Sequence, residues 1–327
     1  MIGQPKPKVA HLIDDTTAGG VMRVLDHLTT SSDLAEDADH RILKVKRGRI
    51  MLRRIKANMI VSHLSISWRT LPALLALRLA HPFAKIVHVE HSYTGGFVEH
   101  NVQSTGRFYL LLRLGFWLFD KVIAVSKGQA DWLQKMQLVK PAKLTVIRSY
   151  VDLSPFEKIA RPKGPIRHFG AIGRLDRQKG FDVIIQAFRT VENPELRLSI
   201  YGEGPEETAL RQLAGDDPRI VFEGFASHPV APYAEVDAVV MPSRWEAYGL
   251  VAIETLASGR KLVCSGIDGL IDHAGLGADY VEQNKVCDWA TKIQDTVESR
   301  SCPVIGDPKA GLASESQAGW KNSIKCL

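Results

Sequence analysis

The sequence predicts an α/β protein built from two doubly wound, Rossmann-like halves. Twelve short apolar runs, rich in β-branched residues, alternate with helical patterning along the chain. Its 327 residues leave room for two domains at roughly 100–200 residues each. The segment 152–165, DLSPFEKIARPKGP, carries three prolines and mixed charge between the sixth and seventh runs, as a linker or hinge does.

The first six predicted strands lie at 9–13, 41–45, 59–63, 86–91, 122–126 and 144–148. The second six lie at 168–173, 197–202, 220–224, 238–242, 261–265 and 279–282. Continuous apolar runs of this length suit parallel strands covered on both faces, with helices as crossovers. The expected division is an N-terminal domain over 1–155, a second domain over 156–300 and a C-terminal tail over 301–327. The tail ends in GWKNSIKCL, a helix with Trp320 as its packing anchor.

Composition excludes several classes. The hydrophobic fraction of 45% and charged fraction of 24% are those of an ordinary globular chain. No charged n-region followed by an apolar stretch opens the sequence, so no secretory leader is expected. The nearest approach to a membrane span, 108–125, is interrupted by Arg113, Asp120 and Lys121. Cys264, Cys287, Cys302 and Cys326 lie far apart without a CxxC pair, which speaks against zinc and disulfides and for a reducing cytoplasm.

Charge is unevenly placed. Residues 1–150 hold 22 Lys and Arg against 11 Asp and Glu, a net +11, and the remainder holds 20 against 25, a net −5. Eight basic residues fall in one window: Arg41, Lys44, Lys46, Arg47, Arg49, Arg53, Arg54 and Lys56. They read either as a solvated face or as a contact for anionic lipid headgroups or a phosphate-bearing acceptor, at roughly 1 kcal/mol each near an anionic bilayer. Nucleic acid is not an expected partner, because the window lacks interleaved aromatics.

The segment 238–259, AVVMPSRWEAYGLVAIETLASG, carries most of the functional signal. A strand, a turn and a helix opening near Tyr248 place Glu246 and Glu254, with seven residues between them, at the carboxyl end of a sheet. Carboxylates accept from sugar hydroxyls, and amides at a helix start donate to phosphate. A sugar nucleotide has both groups. Earlier, FGAIGRLDRQKG sets Gly173 and Arg174 after a strand and Lys179 before a helix, two cations suited to a diphosphate; the plainer reading is a solvated loop. Gly19 and Gly20 follow the first strand, where the backbone can approach a ligand; the alternative is a plain βα turn. His91, in HVEHSYTGG, bonds a sugar hydroxyl, relays a proton or fills a structural role. His63 and His88 read as structural, and Ser126 as a helix N-cap. GEGP at 202–205 and Gly224 with Phe225 read as rim loops.

Taken together, the early Gly-Gly loop, the AVS strand end, GRLDRQKG, YGEGPE, VFEGF and PSRWEAYGLVAIE resemble the retaining glycosyltransferases of the GT-B fold, in the "glycosyl transferases group 1" family, glycosyltransferase family four. The resemblance implies two Rossmann-like domains facing across a cleft. It implies that Arg174 and Lys179 hold the donor diphosphate, with Gly173 beside them and Gly19 and Gly20 approaching from the other domain. Glu254 would take the ribose hydroxyls and Glu246 the donor sugar, with the backbone of Tyr248, Gly249 and Leu250 close to sugar and phosphate. His91 would reach the transferred sugar. It further implies transfer of a hexose-type sugar from a nucleoside diphosphate to a glycan or lipid-linked acceptor, with retention and without a metal or other cofactor, in polysaccharide, lipopolysaccharide or glycolipid synthesis at the inner face of the membrane.

The family's Asn-Gly-Val-Asp is replaced here by Ser149, Tyr150, Val151 and Asp152, so no ligand role is assigned there. Two other readings stay open: a sugar-nucleotide 2-epimerase of similar architecture, and a non-catalytic sugar-nucleotide binder recruited to membranes.

Overall fold

Twelve strands form two six-stranded sheets in the computed structural model, which describes residues 6–17, 19–49, 54–299 and 309–325. The strands are β1 (Lys8–Ile13), β2 (Asp39–Lys44), β3 (Met59–Ser62), β4 (Lys85–Glu90), β5 (Lys121–Ala124), β6 (Leu144–Val146), β7 (His168–Ile172), β8 (Arg197–Tyr201), β9 (Ile220–Gly224), β10 (Ala238–Met241), β11 (Lys261–Ser265) and β12 (Asp279–Val281). Every predicted run is a strand, with ends moved by at most two residues. One trimmed residue begins the next element instead: Ser126 caps the helix Lys127–Lys135 by accepting from the Gln129 amide at 3.0 Å.

All described strand pairs are parallel. β3 and β10 are buried at every position, as strands covered on both faces require. β9, at an edge, alternates between sheltered and exposed residues.

The strand orders fix where ligands can bind. In the first sheet, β2-β1-β3-β4-β5-β6, the chain runs outward to β2 and then reverses across β1 to β3. In the second, β12-β11-β10-β7-β8-β9, it reverses across β7 to β10. A crevice opens beyond the carboxyl ends of the strands at each reversal. Arg174 and Lys179 follow β7 and Glu246 follows β10, so these residues flank the second reversal.

The chain divides into two compact units, Met1–Val151 with Lys309–Leu327, and Asp152–Pro308. The first surrounds a core that includes Leu12, Ile60, Leu112 and Phe116. The second surrounds Phe169, Ile184, Phe188, Leu198 and Trp289. Segment 152–165, read as a linker from its prolines, is folded into the second unit. Leu153 and Phe156 are buried, and the Phe156 ring meets Tyr233 edge-on at 5.2 Å. Two large apolar side chains gain about 1.5–3 kcal/mol each on burial, enough to hold a proline-rich stretch down.

The C-terminal helix Lys309–Lys325 packs on the first unit. Trp320 and Ile324 are buried, Gln317 Nε2 donates to Asp33 Oδ2 at 2.9 Å, and Arg148 pairs with Glu315 at 2.9 Å. Of the residues singled out from the sequence, Arg53, Cys302 and Cys326 lie outside the described residues.

Candidate active site

Three loops of the second unit are held against one another by glycines. A Cβ on Gly180 would lie 2.1 Å from the Pro242 carbonyl oxygen, and one on Gly202 would lie 1.9 Å from that of Gly173. A Cβ on Gly204 would meet the Leu175 carbonyl oxygen at 2.3 Å. Gly180 also has φ +67°, a left-handed backbone that favours glycine. The loop after β7 is thus clamped between those after β8 and β10. The Leu175 amide donates to the Glu203 carbonyl at 2.9 Å, and the Arg244 amide to that of Gln178 at 2.8 Å.

This clamp brings the predicted residues together. Lys179 Nζ donates to Glu246 Oε2 at 2.6 Å, with side-chain exposures of 17% and 13%. Lys179 Cε lies 3.2 Å from the Cβ position of Gly173, and Glu246 Cγ lies 3.3 Å from that of Gly249. Gly249 sits at φ +89° as the N-cap of the helix Leu250–Ala257, where a Cβ would meet Leu270 at 2.8 Å. The first amides of that helix have no acceptor within the helix and carry its positive end. Lysine, glutamate and helix start therefore stand at one place, at the reversal of the sheet. Arg174 is 66% exposed and paired with Asp176 at 2.5 Å.

Glu254 lies deeper. It is 2% exposed on the helix Leu250–Ala257, and its Oε2 accepts from the Tyr233 hydroxyl at 2.7 Å. The Tyr248 ring is buried against His273, whose Nε2 lies 2.8 Å from the Tyr248 carbonyl oxygen. That leaves the backbone, not the phenol, as the group Tyr248 can offer a ligand.

The supporting residues Asp176, Tyr233, Asp268 and His273 were not singled out from the sequence. Asp268 Oδ2 accepts from the Glu246 amide at 3.3 Å, and the Gly269 amide donates to the Glu246 carbonyl at 3.0 Å, so the loop after β11 holds Glu246 by its backbone. Partners more than 20 residues apart leave no local pattern. Asp176 lies inside GRLDRQKG and could have been found as the near partner of Arg174.

Gly19, Gly20 and His91 belong to the first unit. Gly19 is the extended N-cap of the helix Gly20–Thr30, and both glycines are exposed. His91 follows β4 directly, and its Nε2 lies 2.8 Å from Nδ1 of His63. Glu90 turns the other way, accepting from the Ser92 and Tyr93 amides at 2.8 and 3.0 Å. Within the basic window, Arg47 pairs with Asp14 at 2.9 Å, and Arg54 and Lys56 are exposed. Among the described residues, no group of three His, Cys, Asp or Glu is placed to hold a metal ion, and no helix is long and apolar enough to cross a membrane.

Known proteins carry the same two-part pattern. Residues 32–155 match the model of Glycosyltransferase Family 4, and residues 166–299 match that of Glycosyl transferases group 1. The chain belongs to this glycosyltransferase family. An uncharacterized glycosyltransferase of Methanocaldococcus jannaschii is 35% identical over 159 residues, 47% of this chain and 38% of that protein's length. An uncharacterized 41.2 kDa protein from the cps region of Klebsiella pneumoniae is 22% identical over 319 residues, 84% of this chain and 87% of its own. The crystal structure of Anabaena HepE in complex with UDP and glucose superposes with a TM-score of 0.68 at 15% identity, covering 98% of this chain and 95% of that one. The fold is GT-B.

Proposed function

We propose that this glycosyltransferase moves a hexose-type sugar from a nucleoside diphosphate to a glycan or lipid-linked acceptor, with retention at the anomeric carbon. The observation that carries the reading is the Lys179–Glu246 pair beside the start of the helix Leu250–Ala257. Lysine has three N–H donors, so Lys179 can hold Glu246 and a phosphate oxygen together. Glu246 keeps a second oxygen for hydroxyls of the sugar. The helix amides and Arg174 add positive charge where the diphosphate leaves, which is where charge develops in the transition state. These groups do the work a metal would do, and no metal is assigned. Glu254 takes the ribose hydroxyls. From the first unit we assign Gly19 and Gly20 to the diphosphate and His91 to the transferred sugar.

In the reaction, the bond from the anomeric carbon to the diphosphate oxygen breaks as the bond to the acceptor oxygen forms on the same face. The acceptor's proton passes to the leaving diphosphate. The Anabaena neighbour binds UDP and glucose, which makes UDP-glucose the first donor to try here. The Klebsiella relative comes from a cps region, which supports a place in cell-surface polysaccharide or glycolipid synthesis.

We place the reaction in the cytoplasm, at an anionic membrane surface. Two helices of the first unit, Leu71–Ala80 and Thr105–Trp117, bury one face in a shared core and leave Leu75, Leu79, Leu110, Leu114 and Trp117 exposed, with Phe83 just beyond. Basic residues adjoin the first of them: the Ile55 amide donates to Nε2 of His81, the residue that caps its C-terminus, at 2.7 Å, which brings Arg54 and Lys56 near that end. Apolar side chains rimmed by cations suit an anionic bilayer.

Thermal shift with UDP-, GDP- and ADP-sugars, with and without EDTA, tests the donor site. Stabilisation by one nucleotide, unchanged by EDTA, is the expected result. No shift with any of them would count against a donor site of this kind.

A further inference from the structure

Four histidines stand in a line across the first sheet. His40 lies in β2 and His11 in β1, while His63 and His91 directly follow β3 and β4, and these strands are neighbours in that order. Nδ1 of His40 lies 3.0 Å from Nε2 of His11. Nδ1 of His11 lies 3.0 Å from Nε2 of His63, and Nδ1 of His63 lies 2.8 Å from Nε2 of His91. Successive ring centroids are 5.1–5.3 Å apart, and Trp320 of the C-terminal helix sets its edge against His11.

Each contact uses the same two atoms. A neutral imidazole offers one N–H and one lone pair. A row of four is then satisfied in only two ways: every ring carries its proton on Nδ1, or every ring carries it on Nε2. Any mixture sets N–H against N–H or lone pair against lone pair. Burial keeps the rings uncharged, pushing His11 down to about 3 and His91 down to about 4, with His63 and His40 also lowered, chiefly by lost solvation.

The His40 end selects between the two. Its Nε2 is buried and has no hydrogen-bond partner among the described residues. Protons on Nε2 throughout would leave an N–H there with no acceptor, whereas protons on Nδ1 leave only a lone pair. Orphaned buried donors are the rarer of these.

We propose that the row fixes all four histidines as Nδ1–H tautomers, so that His91 presents an N–H, not a lone pair, to its ligand. The inference rests on the assignment of His91 to the transferred sugar. His91 is then a hydrogen-bond donor to a sugar oxygen, not the base that deprotonates the acceptor, and that proton is left to the departing diphosphate. His63, His11 and His40 are positioning residues that act through His91 without touching substrate.

The test is 15N NMR of the full chain labelled at histidine, recorded without any nucleotide, so that its outcome is independent of whether the protein transfers sugar. Wild type should show His91 with Nδ1 protonated and Nε2 bare. His40→Asp offers His11 only an acceptor, so it should reverse the row and move the His91 proton to Nε2. A wild-type His91 protonated on Nε2, averaging between both forms, or unmoved by His40→Asp would overturn the proposal. If His40→Asp does not fold, the wild-type spectrum alone decides. In a donor-turnover assay, His40→Asp should lower kcat about tenfold with the donor KM within about twofold, and His40→Asn, which can donate from the same position, should restore it. Reversed tautomers with unchanged kcat would also overturn it.

Discussion

Lys179 and Glu246 lie 67 positions apart in sequence, yet Nζ and Oε2 meet at 2.6 Å with both side chains largely buried. Removing one partner leaves the other charge without compensation. Lys179→Ala should therefore destabilise the fold by about 2–4 kcal/mol, while the double change Lys179→Met with Glu246→Gln should recover most of that. Neither variant should turn over donor. Urea midpoints with a turnover assay check this; a fully stable Lys179→Ala, or an active double variant, would remove the pair from the site.

Glu254 separates binding from folding. Glu254→Gln should weaken donor binding by about 1.5–3 kcal/mol, because it removes a charged acceptor. Tyr233→Phe keeps the carboxylate but loses the 2.7 Å hydrogen bond that orients it. It should cost about 1 kcal/mol of stability and a smaller part of the affinity. Calorimetric titration with nucleoside diphosphate checks both, and unchanged affinity in Glu254→Gln would take this residue out of the donor site.

Two glycines of positive φ but different ψ, +25° at Gly180 and −142° at Gly215, provide a comparison of crowding against backbone strain. Gly180 (φ +67°) has the Pro242 carbonyl oxygen 2.1 Å from its Cβ position, whereas the nearest atom at Gly215 (φ +59°) is an Arg189 side-chain nitrogen at 3.9 Å. Gly215→Ala should cost only the strain of a backbone that glycine alone adopts readily, about 1–3 kcal/mol, with donor binding kept. Gly180→Ala must also push the loops after β7 and β10 apart, and should lose donor binding as well as more stability. Equal effects in the two variants would mean that the clamp does not shape the site.

The histidine row predicts the direction of acid instability. In the unfolded chain these histidines take a proton near pH 6.5. In the folded chain His91 resists until about 4 and His11 until about 3, mainly through burial. Below pH 6.5 the unfolded state binds more protons, so stability falls as pH falls, by up to about 1.4 kcal/mol per pH unit for each histidine. The charged and titratable groups around the row are Asp39 beside His40 and Glu90 and His88 beside His91. Urea midpoints between pH 7.5 and 5 should drop steeply in wild type and less steeply in His11→Leu. Parallel slopes would contradict this.

Membrane binding should need both apolar and basic groups. Leu79→Ser with Phe83→Ser should weaken sedimentation with anionic vesicles at any salt concentration, and Arg54→Ser with Lys56→Ser should weaken it mainly at low salt. Wild-type protein that stays in the supernatant would return these side chains to an ordinary surface.

Much of this was legible in the sequence, for reasons that differ by residue. The strands were visible because a parallel strand buried on both faces is a continuous apolar run, as in Met59–Ser62 and Ala238–Met241. Gly173, Lys179, Glu246 and Gly249 were visible because cations, acids and glycines crowd the ends of such runs. Phe156 was hidden among prolines that read as a linker, since burial depends on Tyr233, 77 positions later. The partners Tyr233, Asp268 and His273 were hidden for the same reason. So was the histidine row: His40, His11, His63 and His91 fall on four strands or their ends, and only the order β2-β1-β3-β4 makes them neighbours.

The most direct measurement is a proton NMR time course of UDP-, GDP- and ADP-glucose with the protein in EDTA, water serving as acceptor where no glycan is supplied. Release of nucleoside diphosphate with α-glucose as the first sugar product, abolished by Lys179→Ala, is the outcome a retaining transferase of this design gives. β-Glucose appearing first, an epimerised sugar nucleotide, or no turnover of a donor that binds would each contradict it.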